Sequence, residues 1–76
     1  MRRKTPKIVL TFATTSDAMA LEAAARDRGL PGRMIPIPSE VSAGCGLAWC
    51  IPVEEWDAFE RAAEARYEGK FEVELY

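Results

Sequence analysis

Seventy-six residues, 49% of them hydrophobic and 29% charged, make one globular domain at most and exclude a disordered chain. The net charge of −2 lacks the basic footprint of a nucleic-acid binder. There is no histidine, which removes the commonest general base and the commonest zinc ligand together, so Ser-His and Cys-His catalysis and a metal site are not expected.

The basic start, Arg2, Arg3, Lys4 and Lys7, reads as a solvated N-terminus, flexible over residues 1–6. "KIVLTF" (7–12) is β-branched and aromatic and apolar on both faces, which predicts a central strand. This apolar run is too short for a signal-peptide core, and nothing approaches the ~18 apolar residues of a membrane span. A cytoplasmic protein is expected.

"ATTSDAMALEAAARDRG" follows. Thr14 with Asp17 three residues later is a capping-box-like helix start. Gly29 is the stop, and Ala18, Leu21 and Ala25 form the inner stripe. Glu22 beside that stripe reads as a solvated flank.

"GRMIPIP" (32–38) is a short strand whose prolines suit only a sheet edge. "SEVSAG" is a loop, and "GLAWCI" (46–51) is the next strand. Pro52 opens a second helix with Glu54 and Glu55 at its positive end and Trp56, Phe59 and Ala63 as its buried stripe. "KFEVELY" (70–76) alternates, with Phe71, Val73 and Leu75 one way and Lys70, Glu72 and Glu74 the other, a strand with one buried face.

The order β-α-β-β-α-β predicts an α+β, ferredoxin-like sandwich over residues 1–76. Right-handed crossovers give an antiparallel four-stranded sheet of order 4-1-3-2 with both helices on one face. The end of the first strand then lies beside the start of the third. The loop 42–46 therefore comes near the start of the first helix.

That loop holds Cys45 between Gly44 and Gly46. On residue types alone Cys45 is either a small apolar filler or a reactive thiol. The helix N-terminus favours a thiolate, and the glycines let backbone N–H groups turn toward an anion. Ser42, Thr14, Thr15 and Ser16 add hydroxyls around the same point. Cys50, in mid-strand, reads as filler. Along a strand rising ~3.3 Å per residue the two cysteines are roughly 16 Å apart, beyond the ~7 Å reach of a disulfide. Trp49 and Trp56 read as core or interface aromatics.

The stretch "LTFATTSDAMALEAAARDRGLPGRMIPIPSEVSAGCGLAW" resembles the small bacterial selenium/sulfur carrier-like proteins. The matching features are Thr11-Phe12, residues 14–18, Glu22, Gly29, Pro38, Ser42 and Cys45-Gly46, and the likeness extends to "FEVELY" as the last strand. The chain departs from the usual pattern at Ser39 and Cys50, where the family often has basic residues, and at Ala43 and Gly44, where a polar residue is usual before the cysteine. Arg33 is the candidate replacement cation. The resemblance implies a non-enzymatic carrier that needs no cofactor. Cys45 would hold sulfur or selenium as a persulfide or perselenide, between donor and acceptor proteins. Two other readings stand beside it: an interaction or regulatory module, with a homodimer built on the open sheet face or edges, and a thiol redox sensor.

Overall fold

The computed structural model describes residues 3–38, 41, 46–63 and 66–75. In chain order its elements are β1 (Thr5–Thr11), α1 (Thr15–Arg28), β2 (Arg33–Pro36) and β3 (Leu47–Pro52). A 3-10 turn (Val53–Glu55), α2 (Trp56–Ala62) and β4 (Gly69–Leu75) complete it. The strands form one sheet, ordered β2-β3-β1-β4, with every neighbouring pair antiparallel. This is the expected order 4-1-3-2 read from the opposite edge.

β1 is central because its apolar run is satisfied on both sides. Ile8, Leu10 and Phe12 join Ala18, Leu21 and Ala25 of α1, Trp49 and Ile51 of β3, and Phe59 of α2 in one core. Both helices therefore pack on the sheet face that carries Ile8, Leu10, Trp49 and Ile51. Val9 and Thr11 point to the other face, opposite Cys50 and Ala48 respectively. β1 also begins earlier than the sequence suggests. Thr5 and Pro6 pair with Leu75 and Glu74, so they belong to the sheet and not to a flexible terminus. Proline is tolerated there because only β4 flanks it; the β3 pairing starts at Lys7.

α1 matches its expected bounds. The Asp17 amide donates to Oγ1 of the N-cap Thr14 at 3.2 Å, and the helix closes on Gly29 in the left-handed conformation. Its buried residues are Ala18, Leu21 and Ala25. Glu22 pairs with Arg26 one turn on, at 3.7 Å, as a solvated flank should.

Two expectations change. Pro52 ends β3 instead of opening a helix. The chain passes through the 3-10 turn first, and α2 is only seven residues long, with Phe59 its single buried side chain. Trp56 is half-buried, stacked on Phe59 at 5.6 Å between ring centroids. The second change concerns β4. Its alternation is as predicted, but its apolar side faces away from the helices. Phe71 lies opposite Val9 and Val73 opposite Lys7, on the face away from the helices, while Lys70 lies opposite Leu10 on the helix face. Lys70 sits 4.5 Å above the Trp56 ring, which confirms that side. The short α2 does not roof β4, so charged residues can stand on its helix side. Phe71 is left 41% exposed.

Candidate functional site at the β1–β3 end

Cys45, Gly44 and Ser42 lie outside the described residues. What the structure gives is the frame that holds their ends. β1 and β3 are antiparallel, with Thr11 opposite Ala48 as the last pair. Ala13 and Gly46 each stand two residues beyond it, on the strand ends that lead into α1 and out of the loop. The start of α1 and Gly46 are thus delivered to the same end of the sheet. β4 enters there too: Gly69 is opposite Thr11, and the Glu68 amide donates to the Thr11 carbonyl at 2.7 Å.

The connection from β2 to β3 is fastened at its described points. The Ile37 amide donates to the Gly46 carbonyl at 3.0 Å, which extends the β2–β3 ladder beyond the Pro36–Leu47 pair. The Val41 amide donates to the Pro38 carbonyl, also at 3.0 Å, and Val41 is buried.

Gly46 has φ +84°, and among the described residues a Cβ built on it would meet nothing within 4 Å. The left-handed backbone is what calls for glycine at this position. Of the hydroxyls expected around the site, the structure places Thr14, Thr15 and Ser16 together at the start of α1, all exposed. Thr14 is engaged in capping. Asp17, in the same first turn, already sets a carboxylate against the helix dipole. An anion at this end would share the dipole with it.

Cys50 is a buried free cysteine in mid-β3, as its filler reading requires. Burial pushes its thiol above the ordinary value, against the pull of the nearby Arg33 guanidinium and Lys7 ammonium. Arg33, the candidate cation for the Cys45 loop, stands at the start of β2. It lies opposite Cys50, four residues along β3 from Gly46, or roughly 13 Å at strand rise. With Lys7, Gly32, Pro52 and Glu55 these two residues line a cleft of about 220 Å³. Residue types alone did not reveal this cluster. The strand register does, because it sets Lys7 opposite Pro52 and Arg33 opposite Cys50. Trp49 is a core residue whose Nε1 donates to the Pro31 carbonyl at 3.1 Å. Among the described residues no group of three or more His, Cys, Asp or Glu is arranged to hold a metal ion. No described helix is long and apolar enough to cross a membrane.

The family described as "Putative Se/S carrier protein-like" matches residues 7–73, from β1 into β4 and across the whole Cys45 loop. The chain belongs to this family. Neither the curated proteins nor the solved structures contain a match. In this Se/S carrier-like chain the matched span takes in the β1 end, the α1 start and Gly46, the three described parts of the site.

Proposed function

We propose that this Se/S carrier-like protein holds a single sulfur or selenium atom on Cys45 and hands it to a partner protein in the cytoplasm. The observation that carries the reading is the family match, which runs unbroken across the Cys45 loop. The strand register supports it by bringing Gly46 and the start of α1 to one end of the sheet. A ferredoxin-like arrangement with right-handed crossovers belongs to the same proposal, supported by the sheet order.

The chemistry is an exchange at sulfur and needs no general base once the thiol is ionised. The Cys45 thiolate attacks the outer sulfur of a donor persulfide. The donor S–S bond breaks, the donor leaves as a thiolate, and Cys45 becomes a persulfide. A thiolate of the acceptor repeats the attack on that outer sulfur and returns Cys45 to its thiolate. The selenium version is the same displacement on a perselenide. Neither direction consumes an oxidant or a reductant. Backbone N–H groups at the α1 start, and those of Gly44 and Gly46, would stabilise the anion.

Intact mass after incubation with a persulfide donor tests the proposal, with Cys45→Ser and Cys50→Ser alongside. The expected result is a reductant-sensitive gain of one chalcogen atom in the wild type and in Cys50→Ser, absent in Cys45→Ser. No gain in the wild type, or a gain that survives in Cys45→Ser, overturns it.

A further inference from the structure

The two edges of the sheet are built differently. β2 offers only four residues, ends in Pro36, and has Pro31 and Pro38 close on either side, which makes it a poor template for another strand. β4 offers seven residues without a proline. Its side chains on the face away from the helices, Phe71, Val73 and Leu75, are exposed or half-buried. They border a floor of small residues, Val9, Thr11, Ala48 and Cys50, none more than 2% exposed. Phe71 leans over Gly69: a Cβ on that glycine would lie 2.8 Å from the ring.

From the charge order along this edge we infer that β4 pairs with β4 of a second copy, antiparallel, about a two-fold axis at Phe71. In that register Lys70 stands opposite Glu72 of the second copy, and Glu72 opposite its Lys70. These two salt-bridge pairs are on the helix side, where Trp56 already holds the Lys70 ammonium. On the open side Phe71 meets Phe71, and Val73 faces Gly69 of the second copy beneath its leaning ring. Opposite charges and aromatic pairs across strands stabilise, and like charges directly opposite destabilise. That rule selects the register. Centring the axis on Glu72 also forms two Lys70–Glu74 pairs, but it sets Glu72 against itself at the centre and loses the Phe71–Phe71 pair, and centring it on Lys70 sets lysine against lysine. In the Phe71 register the like-charge pairs are two, Glu68 with Glu74 at each outer end, where Glu68 lies beyond β4 and both residues are exposed. The proposal stands apart from the Cys45 chemistry, and neither depends on the other.

Sedimentation equilibrium of the full chain tests it, from micromolar to millimolar concentration, in excess reductant so that no disulfide contributes. The wild type should dimerise. Glu72→Lys turns both attractive pairs into repulsive ones and should weaken association by about tenfold. The charge-swapped double variant Lys70→Glu/Glu72→Lys restores both pairs with unchanged composition and should recover it. Circular dichroism confirms that each variant is folded. A wild type that stays monomeric throughout overturns the inference. So does a dimer indifferent to Glu72→Lys, or one that the charge swap fails to rescue.

Discussion

Gly46 and Gly32 show how differently two glycines can be required. Gly46 is left-handed and no described residue stands where its Cβ would go, so its replacement meets a backbone cost. Gly46→Ala should lower stability by about 1–2 kcal/mol, and Gly46→Asn by less, because asparagine tolerates that conformation. At Gly32 the added carbon would lie 2.3 Å from Trp49 Nε1 and 2.8 Å from the Cys50 carbonyl oxygen, at φ +114°. Gly32→Ala should therefore cost more than Gly46→Ala in the same urea titration. Equal losses would mean that Trp49 yields without penalty. Cys50 sets a pH dependence. Its thiol is pushed up mainly by burial, so the folded state favours the protonated form. Stability from this group is complete below the ordinary thiol pKa and is lost as pH rises through the raised one. The melting temperature of the wild type should fall more steeply in alkali than that of Cys50→Ala. Parallel curves would place the alkaline loss elsewhere. The sequence marks Cys50 as buried filler, but only strand pairing reveals Arg33 and Lys7 around it.

Elements were most legible where a local interaction decides them. The bounds of α1 follow from Thr14 and Gly29, each acting within a few residues of itself. Thr14→Ala removes the acceptor of the Asp17 amide and should cost about 1 kcal/mol, seen as a lower urea midpoint. An unchanged midpoint would show that water or another group replaces the cap. α2 was less legible. Pro52 is compatible with a helix start, yet it remains paired with Lys7 in the sheet and a 3-10 turn intervenes. In β4 the alternation was plain, but alternation alone cannot say which row meets the helices. That choice depends on how far the helical layer extends, and α2 is too short to cover β4.

For the whole molecule, a single core joins both helices to β1 and β3, and α2 is anchored in it by Phe59. Phe59→Ala should cost about 3–5 kcal/mol. In a chain this small, that approaches the whole of its stability. Far-UV circular dichroism during urea unfolding should then show a large shift of the midpoint or no folded baseline. A loss confined to α2, with the sheet signal intact, would show that β1, β3 and α1 stand without it. By itself the sequence determined the element order, the strand order, the α1 caps and the candidacy of Cys45. These rest on local propensity, periodicity and connection rules that act along the chain. Tertiary structure alone decided that residues 5–6 join the sheet and that Arg33 stands opposite Cys50. It also decided that β4 turns its apolar row away from the helices. Each of these is a matter of register and of which layer covers which face, and neither is written in any one segment.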